Sequence, residues 1–394
     1  MERKHYEGRE QAWVKHCVLR NYLEQLAFKV GQFRRGTTLN YIDCFSGPWD
    51  AVGEGWKDSS PYIATAELEK ARGILSGLAK PVTLNVRAMF VEREPAAFAR
   101  LEELCRGLED IEVAAHHGSF EDLVGEAVRF AQGGTNPFAF VFIDPTGWTG
   151  YGLERITPLL RVDPSEVLIN FMTKDIIRFI DDEDSTAVAS FVDLFGDARY
   201  REAWRGLEGL EREEAIVSTY GARIREAGGF RHVVSAVVLN PEKDRTHYHL
   251  VYATRSDVGL ITFREIESKA MREQQRMRAD RKRSKAAPGQ ELLFEPTELD
   301  RCLQDHVVRL GARYRGQAGQ RMEDRIRRDG TVEYDHLLLD ALRSPMMAER
   351  DVKAWIKEQL EARRLQILGL DSPRKSVPRF GHGHRVQWVT HVGL

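Results

Sequence analysis

Cysteine is scarce in this chain of 394 residues: Cys17, Cys44, Cys105 and Cys302 are all there are. They lie far apart and form no CxxC pair, which argues against a zinc site or a disulfide framework. No bound metal is therefore expected, and a reducing cytoplasm is the expected compartment. No run of about 18 apolar residues occurs, so no membrane span is expected. The opening MERKHYEGREQAW is polar and lacks the apolar core of a secretory leader. An excess of charge is missing too. Lys and Arg number 58 against 60 Asp and Glu, a net charge of -2, so the whole chain has neither a basic signature nor an acidic tail. What remains is a globular balance, 42% hydrophobic and 30% charged. At roughly 100 to 200 residues per domain, the length predicts two domains.

Apolar residues at helical spacing (Trp13, Val14, Val18, Leu19, Tyr22, Leu23, Leu26) predict an early amphipathic helix. Five strand-like runs follow: LNYIDCF from Leu39, VRAMFVE from Val86, IEVAAHH from Ile111, FAFVFID from Phe138 and EVLINFM from Glu166. Helical stretches separate them. Such alternation predicts a parallel sheet covered on both faces, which also explains the near-continuous apolarity of the strands. Two later runs, FRHVVSAVVLN from Phe230 and HYHLVYATR from His247, are separated only by PEKDRT. That gap is too short for a crossover helix, so the pair reads as an antiparallel hairpin. The expected fold class is α/β: five parallel strands plus a terminal antiparallel hairpin, the Rossmann-like sheet of class I methyltransferases.

Residues 1–267 are assigned to this domain. From Ser268 the segment SKAMREQQRMRADRKRSKAAPGQ carries eight basic residues against Glu273 and Asp280. Residues 268–295 are read as a basic linker, either simply solvated or in contact with nucleic acid. Residues 296–394 form a smaller domain. Helices at Asp335–Leu342 and Glu349–Arg364, then strand-like LQILGL and RVQWVTHV, give the order of a winged helix-turn-helix. Such a module binds nucleic acid through its second helix or docks on protein.

In an open parallel sheet, ligands sit beyond the carboxyl ends of the strands, so the strand ends carry the candidate chemistry. The first ends in YIDCFSGPW, where Asp43, Phe45 and Gly47 match the first methyltransferase motif. Trp49 stands where a second glycine is usual and narrows the space there. The second strand ends at Glu92, placed to accept hydrogen bonds from ribose hydroxyls. The third ends in HGSF, with Ser119 and Phe120 placed to flank an adenine. The fourth ends in FIDPTGW. Asp144-Pro145 opens like the DPPY motif of nitrogen-directed methyltransferases, and Trp148 is the candidate stacking face in place of its aromatic. Asn170 at the end of the fifth strand emerges on the same edge as Asp144.

Together these stretches resemble the three-Cys-motif partner proteins. The shared signals are Lys15-His16 and Tyr22-Leu23, YIDCFSGP followed by Ser60-Pro61, FVERE, FIDPTGW, LINFM with Asp175 and Arg178, and YATRSDVGL from Tyr252. The resemblance implies a class I AdoMet-dependent methyltransferase fold with a winged-helix tail. It also implies a separate partner carrying a three-cysteine, radical-AdoMet-like motif, since this chain has no CxxxCxxC.

The expected function is methyl transfer from S-adenosyl-L-methionine (AdoMet) to a nitrogen, or less often an oxygen, of a nucleobase-like or small polar acceptor. Asp43, Phe45 and Gly47 would line the methionine side of the cofactor, Glu92 its ribose, and Ser119 with Phe120 its adenine. Asp144 would orient the acceptor, helped by Asn170 and Trp148. Two rivals stand beside it. One is a non-catalytic AdoMet-binding scaffold that works as a nucleic-acid-binding partner protein. The other is an enzyme of the same fold that uses AdoMet or a nucleotide for other chemistry.

Overall fold

The computed structural model describes residues 3–34, 36–47, 56–285, 296–370 and 377–389. Contacts divide the chain into two units, Met1–Ser256 and Asp257–Leu394.

The first unit is built on one sheet. Helix α1 (Glu10–Phe33) precedes β1 (Thr37–Asp43), and α2 (Ser60–Ser76), β2 (Leu84–Glu92), α3 (Pro95–Arg106) and β3 (Glu112–His117) follow. Next come α4 (Val124–Ala131), β4 (Phe138–Ile143), α5 (Leu153–Leu160) and β5 (Ser165–Phe171). Three helices, α6 (Thr173–Phe179), α7 (Ser185–Phe195) and α8 (Gly209–Gly228), lead to the hairpin β6 (His232–Leu239) and β7 (Thr246–Thr254). The strand order is β3-β2-β1-β4-β5-β7-β6. β1 to β5 run parallel, and β7 joins β5 antiparallel and pairs with β6. The sheet therefore has seven strands, the five parallel ones and, at one end of them, the hairpin. Its order reverses between β1 and β4, and that switch point is where a doubly wound sheet opens a crevice.

Every residue of β1 and β5 is buried, as two-sided coverage requires. Alternation along the strands sorts side chains to two faces. Ile42, Met89, Val141 and Ile169 enter a core with Ile156, Phe195, Tyr220 and Ile224 from the helices on that side. Tyr41 and Phe140 point the other way and stack at 6.3 Å, with Tyr22 of α1 against Phe140 at 5.6 Å. On that face α1 also brings a polar group inside. The Tyr22 hydroxyl donates to Glu166 at 2.7 Å, and Thr254 donates to its other oxygen at 2.8 Å. Tyr252 shares the Tyr22 hydroxyl. Burial raises the Glu166 carboxyl above its ordinary range. Arg255, next in the chain, donates to the carbonyls of Leu160 and Val162 and lies over Phe230. The YATR stretch is thus a packing device.

The second unit begins with α9 (Asp257–Lys285) and α10 (Pro296–Asp329), followed by β8 (Thr331–Glu333), α11 (Tyr334–Ala341), α12 (Glu349–Glu361), β9 (Leu365–Leu368) and β10 (Arg385–Trp388). The three strands form an antiparallel sheet in the order β8-β10-β9. β8, only three residues long, has no strand signal of its own. A buried Arg264 pairs with Glu267 at 2.6 Å and donates to the carbonyl of Leu342 at 2.7 Å.

Two expected boundaries change. The division falls at Ser256, and position 267 lies inside α9. Residues 268–285 are helix rather than linker, while 286–295 lie outside the described residues. Ile266, Ala270, Met271 and Met277 are buried along α9, and Glu273 pairs with Arg276 one turn on at 2.9 Å. An apolar stripe at helical spacing outweighs the local density of positive charge. No helix among the described residues is long and apolar enough to cross a membrane.

A chain ending at Ser256 should keep the whole seven-stranded sheet and unfold in urea as one cooperative transition, followed by far-ultraviolet circular dichroism. A broad, non-cooperative melt would show that the sheet depends on residues beyond 256.

Candidate functional site

The carboxyl ends of β1, β2, β4 and β5 surround two cavities that share a wall. The smaller, of about 170 Å³, is bounded by Phe45, Glu92, Ser119 and Phe120. The larger, of about 280 Å³, is bounded by Gly47, Asn170 and the N-terminal part of α1 with Arg9, Lys15 and His16. Phe45, Asp144, Pro145 and Thr146 face both.

Glu92 is almost wholly buried at the end of β2. One carboxylate oxygen accepts from the backbone N–H of Glu94 at 2.5 Å, which fixes its direction. Burial raises its pKa, and the N–H groups of Glu94 and Arg93 work against that shift. Phe120 and Phe45 meet at 5.8 Å and give the same cavity an aromatic wall. A fixed carboxylate beside flat apolar surface suits a ligand with paired hydroxyls and a planar ring.

Asp144 sits where the cavities meet. Asn170 donates from Nδ2 to its Oδ1 at 2.7 Å, and the Lys15 ammonium pairs with its Oδ2. The carboxylate is held from two sides by groups 129 and 26 residues away in sequence. Oδ1 of Asn170 is buried and has no hydrogen-bond partner. In the same cavity Arg9 pairs with Asp58 at 2.6 Å, and the Tyr6 hydroxyl meets His16 Nδ1 at 2.9 Å. Burial, with Lys15 and Arg9 alongside, holds the His16 imidazole well below its ordinary range. His247 and Tyr248, at the start of β7, complete the wall.

Most of the residues read from the strand ends fall here. Phe45, Glu92, Ser119 and Phe120 share the smaller cavity, and Asp144 and Asn170 line the larger; Gly47, expected on the methionine side of the cofactor, lines the larger cavity instead. Two do not. Asp43 is fully buried and lines neither cavity; it accepts from Ser60 Oγ at 2.7 Å, from Tyr41 at 3.2 Å and from the N–H of Phe45 at 3.2 Å. It ties the loop after β1 to the start of α2 instead of facing a ligand. Trp148 is no stacking face for an acceptor. Its ring stacks on Phe191 at 5.3 Å and its N–H donates to Ser190 at 2.9 Å, because the apolar side of α7 offers more contact than the polar cavity. Trp49 lies outside the described residues. Lys15, Arg9 and His247 carried no positional signal, since none stands at a strand's carboxyl end; Lys15-His16 belonged only to the resemblance. Among the described residues, no group of three or more His, Cys, Asp or Glu is placed to hold a metal ion.

No protein-family model matches the sequence, and no curated protein does. Solved structures give distant similarities. Protein LPL1258 from Legionella pneumophila is 10% identical, with a TM-score of 0.36 over 60% of this chain and 84% of that one. Aeropyrum pernix fibrillarin, solved with natively bound S-adenosyl-L-methionine, is 10% identical, with a TM-score of 0.26 over 60% and 76%. A loganic acid methyltransferase solved with SAH is 10% identical, with a TM-score of 0.29 over 75% and 88%. The strand order, rather than these low similarities, defines the fold. It is methyltransferase-like.

Burial lifts the Asp43 carboxyl to about 6, with neighbouring Asp144 adding to the rise and the donors from Ser60, Phe45 and Tyr41 opposing it. A carboxyl raised in the folded state stabilises most below its unfolded pKa and loses that contribution as pH climbs through the folded value. Between about pH 4 and about pH 7 the wild type should lose on the order of 3 kcal/mol relative to Asp43→Asn. Urea unfolding at stepped pH measures this, and parallel curves for the two proteins would remove the assignment.

Proposed function

We propose that the chain is an AdoMet-dependent methyltransferase acting on a nitrogen of a nucleobase-like acceptor, with the cofactor in the smaller cavity and the acceptor in the larger. The observation that carries this reading is the wall the two cavities share at Asp144-Pro145-Thr146, which sets the two compartments side by side. The donor set of the smaller cavity fits the cofactor: Glu92 would take the ribose hydroxyls, Ser119 and Phe120 the adenine, and Phe45 the methionine side. When bound, the cofactor supplies a methyl group on a sulfonium, a good electrophile that needs no metal.

The protein's own part is positioning. Both Asp144 oxygens already accept one hydrogen bond, and each keeps a second lone-pair direction. Asn170 Oδ1 is still unpaired. An amino group on the acceptor can donate to both and present its nitrogen lone pair towards the smaller cavity. Lys15 and Asn170 prevent Asp144 from turning away, so the aim is set before the acceptor arrives. Gly47, without a side chain, leaves the near wall open.

In the second unit, the order α10, β8, α11, α12, β9, β10 supports a winged helix. Two of the three cations on α12 pair with acids one turn away, Lys353 with Glu349 at 2.7 Å and Lys357 with Glu361 at 3.8 Å, which favours docking on protein over nucleic acid for that helix. The resemblance to three-Cys-motif partner proteins supports a radical-AdoMet-like protein as that partner.

Calorimetric titration should show AdoMet binding, weakened by roughly 1.5 to 3 kcal/mol in Glu92→Ala, the worth of hydrogen bonds to a charged group. A folded wild type that takes up no AdoMet sinks the reading. For Asp144→Asn, AdoMet affinity should stay within several-fold, while label transfer from methyl-labelled AdoMet to cell-extract acceptors falls about a hundredfold. Undiminished transfer would remove Asp144 from the site.

A further inference from the structure

The larger cavity contains two polar atoms that the fold leaves unused. Oδ1 of Asn170 and Nδ1 of His247 are buried and without hydrogen-bond partners, and both residues line it. Leaving such an atom unpaired is costly, so each marks a place where a ligand atom is wanted. One is an obligate acceptor, and the other donates in one imidazole tautomer. A base with an amino group beside a ring nitrogen offers the matching donor and acceptor.

Near the cavity, Lys174 stands two residues after Met172 and Arg245 two before His247, both of which line it. Asp58 and Asp144 are answered by Arg9 and Lys15. Lys174 and Arg245 are exposed and have no ion-pair partner among the described residues. Burial first, then the fields of Lys174, Arg245 and Lys15, hold the His247 imidazole below its ordinary range, while Asp175 acts the other way. Arg9 pairs with Asp58 through one nitrogen and keeps further donors. These cations sit on three separate elements: the turn before α1, the helix α6 and the β6–β7 turn. A lone phosphate would need one such cluster. Cations spread around a mouth suit a backbone that passes across it.

We propose that the larger cavity takes one amino-bearing base of a single-stranded nucleic acid, with Lys174, Arg245 and Arg9 on the phosphodiesters flanking it. The base's role as methyl acceptor rests on the methyltransferase reading; the backbone contacts do not. A single strand is required because a base stacked and paired in a duplex cannot reach a floor formed by Asn170 and Asp144.

The test is fluorescence anisotropy on the full chain with a labelled single-stranded oligonucleotide of about 12 nucleotides. Wild type is compared with the Lys174→Gln/Arg245→Gln double variant, whose exposed positions leave the core and the smaller cavity untouched. The double variant should bind roughly tenfold more weakly at low salt, and the slope of log affinity against log salt should flatten by about 1.4, two phosphate contacts on a single strand. Its thermal melt and AdoMet titration should match the wild type. Equal affinity and slope in the two proteins overturn the proposal, since the strand then binds elsewhere. A mononucleotide that binds as tightly as the strand, or a duplex that binds more tightly, overturns it too. If the double variant loses oligonucleotide affinity but the wild type binds no AdoMet, the methyltransferase reading fails and the strand site stands.

Discussion

Parallel strands must be covered on both faces, and in this protein that constraint decides where chemistry can occur. The crossover helices bury β1 and β5 completely, so polar groups with work to do are pushed to the strands' carboxyl ends. There the chain leaves the sheet and its order reverses between β1 and β4. Glu92, Asp144 and Asn170 all sit on that rim. An acid elsewhere on these strands has to be hydrogen-bonded in place, as Glu166 is by Tyr22 and Thr254.

Asp144 shows what the rim demands in turn. A carboxylate that faces two cavities turns away unless something holds it. Here the ammonium of Lys15 and the amide of Asn170 do so. The consequence reaches α1, which serves both as the cover for one sheet face, through Leu19, Tyr22 and Leu23, and as one wall of the larger cavity. Packing and site geometry are therefore set by the same helix, and a shift of α1 moves both. Asp43, one strand away, is the opposite case: its hydrogen bonds are all internal, and it stabilises the loop that carries Phe45 and Gly47 into place.

The second unit repeats the lesson with charge. Its basic segment looks like a solvated linker when residues are counted and becomes a helix when faces are considered. Met271, Met277 and Ala279 are covered while Arg276 stays exposed beside Glu273. A count of Lys and Arg has no direction; burial does.

Much of this was legible in the sequence, and for local reasons. Uninterrupted apolar runs such as FAFVF mark buried parallel strands, the short PEKDRT gap forces a hairpin, and the residue after each run identifies the rim. Glu92, Asp144 and Asn170 follow from that rule. What the sequence does not contain is pairing across elements. Lys15 reaches Asp144 over 129 positions, a relation with no period or spacing to betray it. β8 exists because β10 pairs with it, not because three residues prefer to be a strand. Trp148, next to a site residue in sequence, turned to Phe191 because an aromatic ring goes where it gains most contact. Sequence determined which groups stand at the edge of the sheet, since strand length and polarity are local properties. Tertiary structure decided which of them face a cavity and what holds them, since that depends on helices packed from elsewhere in the chain.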